Sequence, residues 1–410
     1  MDITTESVSL IDQIVVVFVF LCLFVKVRII NLSKMLKKNV FLILLWSVFS
    51  MAGVAQPRLQ LCDADNSAFS YFGRTDRSDS KVVRFDWPGV YLRCAFTGNT
   101  LEIRLKGGTR DYFNVFVDDQ PVKVIHPVTD SIFVVNGISG KGSHELLITK
   151  RTEADMGMAC FYGIGIASEG KILPSSVKNS RKIEFIGNSI TCGYGTEGLS
   201  GNERFKPETE NSYYSYASIT ARAFSADYAL IAHSGLGIVR NYGDKSKIST
   251  KFAPMPPRLG RVFDTDSVKK WDFNRWMPEA VVVNLGTNDY STLPYPDKAV
   301  FKRHYEELID KIFEVYGKIP VFCVVGPMTN EPCYSIVKEV VDDYNLIHGD
   351  KKVYFAGIPD GLLNNGSDLG SDGHPSYRGQ RKSAAHLVPL MASVLKWNYN
   401  DKEIRFIDEY

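Results

Sequence analysis

From about residue 66 to 170 the chain alternates apolar and polar positions with a period of two. Leu101, Ile103 and Leu105 alternate with Glu102, Arg104 and Lys106; Phe113, Val115 and Val117 alternate with Asn114 and Asp118, with Phe116 breaking the rule; His144, Leu146 and Ile148 do so less cleanly. Thr97-Gly98-Asn99, Gly107-Gly108, Asp118-Asp119 and Gly140-Lys-Gly142 punctuate the runs. Short alternating strands between turn signals predict an antiparallel β-sandwich. The polar stretch Lys171 to Arg181, with Pro174 and two serines, reads as a linker.

Beyond the linker the pattern changes. Ile183–Ile186, Ala229–Ala232, Val281–Leu285, Val321–Val325 and Val353–Ala356 are apolar without alternation, as expected of strands covered on both faces. Helical stripes separate the later ones: Phe301, Tyr305, Leu308 and Ile312 within Lys298–Tyr316, ahead of Gly317, then Ile336, Val337, Val340 and Val341 within Cys333–Tyr344. A last helix is expected over Ser376–Trp397, kinked at Pro389. Strand–helix alternation predicts an α/β doubly wound parallel sheet, with ligands at the carboxyl ends of its strands. The expected organisation is an N-terminal hydrophobic segment over 1–55, a β-sandwich over 56–172 and a catalytic α/β domain over 173–410.

The N-terminal segment changes the picture of location. Met35-Leu-Lys37-Lys38, the apolar run Val40–Val48 and small residues Gly53-Val-Ala55 before Gln56 have the layout of a secretory signal, so export to the periplasm or medium is expected. The upstream run Ile14–Val25 is short for a span of roughly 20 apolar residues. It reads either as sequence ahead of a true start at Met35 or as a membrane anchor. No cysteine stands at the cleavage site, which argues against a lipoprotein signal. The six cysteines beyond it lack Cys-x-x-Cys spacing, which argues against a zinc ribbon or redox motif. A net charge of +2 without a basic run past the extreme N-terminus argues against nucleic acid as a partner.

Candidate chemistry stands at the strand ends. Gly187-Asn188-Ser189 follows the first buried run, Gly286-Thr-Asn288-Asp289 the third, and Asp372-Gly-His374 the last. A serine opening a helical turn gains N–H groups near its own Oγ, which suits a nucleophile, although N-capping is the commoner use of such a serine. Asn288 can donate to a developing oxyanion, and Asp289 is expected to tie down its loop. In His233-Ser-Gly235-Leu-Gly237, Gly237 is the expected backbone donor and Gly235 its competitor. His374 fits a general base, with His233 as rival; Asp372, or else Asp368, would accept Nδ1–H. Trp271, Trp276 and Tyr290 are candidate sugar-stacking rings, for each of which core packing is the commoner use. A Gly-x-Ser-x-Gly elbow, a Gly-x-Gly-x-x-Gly turn before a helix and a clustered metal-ligand set are all missing, so neither cofactor nor metal is expected.

Taken in order, Gly187-Asn-Ser189-Ile-Thr191, Gly237, Gly286-Thr-Asn288-Asp289 and Asp372-Gly-His374-Pro375 resemble the four blocks of the SGNH (GDSL-like) hydrolases. The chain from about 66 to 395 also resembles carbohydrate esterase family 2. Gly73-Arg74, Phe116-Val-Asp118, His144 through Lys150-Arg-Thr-Glu153 and Ser234-Gly-Leu-Gly-Ile-Val-Arg240-Asn241 carry that part of the likeness. The resemblance implies a jelly-roll sandwich before a flavodoxin-like three-layer SGNH domain. It also implies Ser189 as nucleophile, His374 as base and an oxyanion hole of Ser189 N–H, Gly237 N–H and the Asn288 amide. The wider superfamily places its acid where this chain has Ser371, and family 2 members use an Asp or a main-chain carbonyl to orient the histidine. The implied function is an exported O-acetyl esterase on acetylated xylan or glucomannan. The alternatives are a non-catalytic carbohydrate-binding protein or an O-acetyl esterase on peptidoglycan.

Overall fold

The computed structural model describes residues 59–406, apart from 130, 141, 330, 350 and 360. The signal segment and possible anchor expected over 1–55 lie outside the described residues. No helix among the described residues is long and apolar enough to cross a membrane.

Twelve strands form the first lobe: β1 (Leu59–Asp63), β2 (Ser70–Phe72), β3 (Asp76–Asp79), β4 (Val82–Phe85), β5 (Tyr91–Thr97), β6 (Thr100–Lys106), β7 (Phe113–Val117), β8 (Gln120–Ile125), β9 (Ser131–Asn136), β10 (Ser143–Lys150), β11 (Ala159–Ala167) and β12 (Ile172–Leu173). They make two antiparallel sheets, one ordered β3-β4-β11-β6-β9 with β1 on β11, the other β12-β5-β10-β7-β8 with β2 on β5. Where the sequence alternates, the sheet has one dry face: Leu101, Ile103 and Leu105 are buried, while Glu102 and Arg104 between them are half-buried. In β7 every residue is buried. The outer face of that sheet meets the second lobe rather than water. Phe116 packs against Tyr213 with the rings tilted and centroids 4.7 Å apart, and the Asn114 amide donates to Asn211 at 3.0 Å. The break in period at Phe116 therefore marks an interface between lobes.

The second lobe is a five-stranded parallel sheet, β13 (Arg181–Gly187), β14 (Ala226–Ala232), β15 (Ala280–Asn284), β16 (Val321–Val325) and β17 (Val353–Gly357), ordered β14-β13-β15-β16-β17. β14, β15 and β16 are buried along their whole length, as helices cover both faces. The helices are α1 (Ser189–Cys192), α2 (Tyr216–Ala223), α3 (Thr287–Tyr290), α4 (Lys298–Tyr316), α5 (Cys333–His348) and α6 (Tyr377–Leu395). Pro389 is accommodated inside α6. The strand order reverses at β13, so the loops after β13, β14 and β15 open at the switch point, where such sheets bind ligands.

Residues from Leu59 onward form one compact unit. Across the lobes, Arg74 pairs with Glu184 at 3.1 Å, both almost fully buried, and Tyr316 donates to both carboxylate oxygens of Glu184. Tyr91 and Arg93 of the sandwich both reach Asp227. All six described cysteines are free thiols, Cys323 and Cys333 included.

Candidate active site

Ser189 is the first residue of α1, immediately beyond β13. The N-cap is Asn188, whose side-chain oxygen accepts from Ile190 N–H at 3.1 Å, so the serine hydroxyl is not spent on capping. Gly187 has no room for a side chain because Thr191 packs against its Cα. Ser189 Oγ lies 2.9 Å from His374 Nε2, although 185 residues separate them. As the first helical residue, Ser189 also presents an N–H without an intrahelical acceptor.

His374 follows a 3-10 turn, Ser371–Gly373, clasped by the 193–211 segment: Ser371 N–H donates to Gly195 O, Asp372 N–H to Glu203 O and Tyr377 N–H to Thr196 O. The Tyr194 ring lies over the imidazole, centroids 4.3 Å apart, and stacks on Phe205 at 3.9 Å. Burial lowers the His374 pKa from 6.5 to about 4, outweighing the main-chain carbonyls of Asp372 and Ser371 and the charge of the Asp372 carboxylate, all of which favour the proton. The ring is thus neutral at pH 7, as a general base requires.

The carboxylate of Asp372 is not where the sequence places it. It accepts from the Tyr194 hydroxyl at 3.0 Å, Phe205 N–H at 3.1 Å and Arg204 at 3.0 Å. His374 Nδ1 has no hydrogen-bond partner among the described residues. The reason is backbone conformation: Asp372 sits in the left-handed region (φ 51°, ψ 32°), which turns its side chain toward the clasp. Asp368 is occupied by Lys382, at 2.6 Å, and by its own 3-10 cap. Ser371, at the position where the superfamily acid falls, bonds the Thr209 hydroxyl.

The expected oxyanion donors also need one correction. Asn288, in α3, lines the pocket; its Nδ2 uses one hydrogen on Leu236 O at 2.8 Å and keeps a second. Gly237 does not reach the pocket. Its N–H is directed at Asn241 Oδ1 at 3.3 Å, and its Cα is pressed against Asp289 and the Arg240 carbonyl. Gly235, at φ 78°, lines the pocket instead, and its N–H makes no hydrogen bond among the described residues. Asp289 is fully buried and gathers the N–H groups of Ile238, Val239 and Arg240 at 2.8–2.9 Å, fixing the loop that carries both glycines. Burial raises its pKa to about 6 despite those bonds.

His233 is no rival base. Burial opposes its charge, but its bonds to Asp155 and Asp264 prevail and raise its pKa to about 10. The three candidate stacking rings lie elsewhere. Trp271 and Trp276 pack with Val262 and Phe263, Trp271 under Arg74 and Arg275. Tyr290 is buried against Tyr295 and Phe301. The pocket, about 830 Å³, is lined by Ser189, His374, Asn288 and Gly235 with Tyr194, Asn202, Arg204, Tyr242, Thr287, Ser291 and Met328 among the rest. Tyr242 is 63% exposed, a ring presented to solvent at its rim. Position five residues after the nucleophile was the available signal for Tyr194; nothing in the sequence marks Tyr242.

A serine and a neutral histidine at the switch point of a 2-1-3-4-5 sheet, with an amide and a free backbone N–H beside them, define a serine hydrolase of the SGNH class. Residues 185–382 match the GDSL-like Lipase/Acylhydrolase family and residues 71–175 the Carbohydrate esterase 2 N-terminal family. A solved family two carbohydrate esterase from Clostridium thermocellum, in complex with cellohexaose, is 37% identical; the match covers 80% of this chain and 99% of that one, with a TM-score of 0.73. The chain belongs to carbohydrate esterase family 2. Among curated relatives, the Cellulase/esterase CelE of Acetivibrio thermocellus is 38% identical over 346 residues, 82% of this chain but only 41% of CelE. An Acetylxylan esterase / glucomannan deacetylase of Cellvibrio japonicus is 34% identical over 212 residues, 51% of this chain and 56% of the relative.

Proposed function

We propose that the protein is an exported esterase that removes O-acetyl groups from plant-type polysaccharide such as acetylated xylan or glucomannan. The observation that carries the reading is the 2.9 Å contact between Ser189 Oγ and His374 Nε2 at the floor of one open pocket. Ser189 Oγ attacks the acetyl carbonyl carbon as its proton passes to His374 Nε2. The carbonyl oxygen becomes an oxyanion held by the N–H groups of Ser189 and Gly235 and by the Asn288 amide. Collapse of the tetrahedral species expels the sugar oxygen, which takes the proton back from His374. Water, deprotonated by the same histidine, then attacks the acetyl-enzyme and releases acetate.

The choice of polysaccharide rests on the named activities of the relatives and on a pocket whose rim carries Tyr242 and the amide of Asn202. Export rests on the layout of residues 35–56; N-terminal sequencing of the mature protein should begin at Gln56. The test of function is acetate release from acetylated xylan, glucomannan and peptidoglycan by wild type and Ser189→Ala. Release from the plant polymers that is abolished in the variant is expected. Equal release by both proteins would remove the mechanism, and preference for peptidoglycan would move the substrate.

A further inference from the structure

The sandwich contributes no lining to the pocket, yet one of its side chains reaches the loop that forms the oxyanion hole. Lys150-Arg-Thr-Glu153 closes β10 and leads into a 3-10 turn, Ala154–Met156. Lys150 is wholly buried, and its Nζ holds Asp111 at 2.7 Å together with the carbonyls of Thr152 and Glu153. Glu153 N–H donates to Glu210 Oε1 at 3.0 Å. The backbone around Glu153 is therefore fixed from three directions, and its side chain, 2% exposed, is delivered to the second lobe.

There Glu153 Oε2 accepts the backbone N–H of Ser234 at 2.6 Å. It also accepts from the Cys192 thiol at 3.6 Å. Ser234 directly precedes Gly235, the glycine whose N–H is unspent beside the catalytic serine. Cys192 ends α1, the turn that Ser189 begins. One carboxylate oxygen thus ties the oxyanion loop to the nucleophile turn. At 2.6 Å the bond from Ser234 is a short hydrogen bond for a backbone N–H. It holds the peptide before Gly235 in one orientation, leaving the next N–H to face the pocket.

We propose that Glu153 of the sandwich lobe is a positioning residue for the oxyanion hole, so that the sandwich completes the esterase site. This rests on the serine-hydrolase reading above. A purely cohesive role for Glu153 between lobes makes the opposite demand on substitutions. Cohesion through charge is kept by Glu153→Asp and lost in Glu153→Gln. Positioning depends on reach, which Gln keeps through its carbonyl oxygen and Asp, one methylene shorter, does not.

The experiment measures kcat and KM on p-nitrophenyl acetate for both variants, alongside Ser189→Ala, Asn288→Ala and the double variant Glu153→Asp/Asn288→Ala, with circular dichroism as a fold check. Losing one oxyanion donor costs about 10²–10³ in kcat. Glu153→Asp should fall by about that factor with KM within about threefold, Glu153→Gln should stay within about tenfold of wild type, and the double variant should lose less than the product of the single losses. Full activity in Glu153→Asp, a Gln variant weaker than the Asp variant, losses that multiply, or a variant whose lost activity follows its lost folded signal would each overturn the proposal. Ser189→Ala separates the two levels: if it is inactive, such a result removes only the role of Glu153, and if it stays active the hydrolase reading itself falls.

Discussion

Ser189 and His374 are in contact with no carboxylate on Nδ1, and this sets two expectations at the scale of single residues. With burial holding the imidazole pKa at about 4, the ring stays unprotonated well below the usual histidine range. The acid limb of kcat/KM on p-nitrophenyl acetate should therefore lie between about pH 4 and 5. A limb near 6.5 would mean an ordinary solvated histidine. The second expectation concerns Asp372. A carboxylate that sets the tautomer of a catalytic histidine is worth about 10⁴ in kcat when made an amide. Here the side chain holds Tyr194 and the Phe205 N–H instead. Asn tolerates the left-handed backbone and still accepts those bonds, so Asp372→Asn should lose less than about tenfold. A loss near 10⁴ would show that the carboxylate swings to Nδ1 during catalysis. The role first expected for Asp372 follows from its place two residues before His374; the direction of its side chain depends on a φ of 51°, which no spacing encodes.

At the scale of elements, the site is three loops at the ends of the adjacent strands β14, β13 and β15, completed by the His374 segment that follows β17. The strands were legible because a strand covered on both faces cannot alternate, and α4 was legible at both ends because its apolar stripe runs unbroken to Gly317. The choice between Gly235 and Gly237 was not legible. Both stand in one loop, and only the occupation of each N–H separates them. The aromatic candidates failed for a related reason, since exposure is decided by tertiary packing: Trp271 is covered by Arg74 from the other lobe and Tyr290 by Tyr295 and Phe301, while Tyr242 was left at the rim. Asp289 gives the prediction that belongs to this scale. Replacing it by Ala orphans three buried N–H groups, each costing about 1–3 kcal/mol if unsatisfied. Asp289→Ala should lower the melting temperature clearly and reduce kcat through a loosened 235–240 loop. Unchanged values of both would show that the loop is held by other contacts.

Across the whole molecule, the two lobes share buried charge rather than a flexible joint. Arg74 and Glu184 lie on opposite sides of the interface, each about 1% exposed. Breaking a buried pair by removing one partner costs about 3–5 kcal/mol, since the other charge is left without compensation. Arg74→Met should therefore lower stability by several kcal/mol in denaturant titration, measured as one cooperative transition for both lobes. Two separate transitions, or a loss under about 1 kcal/mol, would show lobes that fold independently. The period-two pattern announced the sandwich, and the break at Phe116 carried the interface within it. The central claim, that Ser189 becomes acetylated during turnover, is tested most directly by acid-quenching the enzyme with excess p-nitrophenyl acetate and reading the Ser189 peptide by mass spectrometry. One acetyl group on Ser189, appearing within a turnover and absent in Ser189→Ala, is the predicted result; acetate released at an undiminished rate while Ser189 remains unmodified would contradict it.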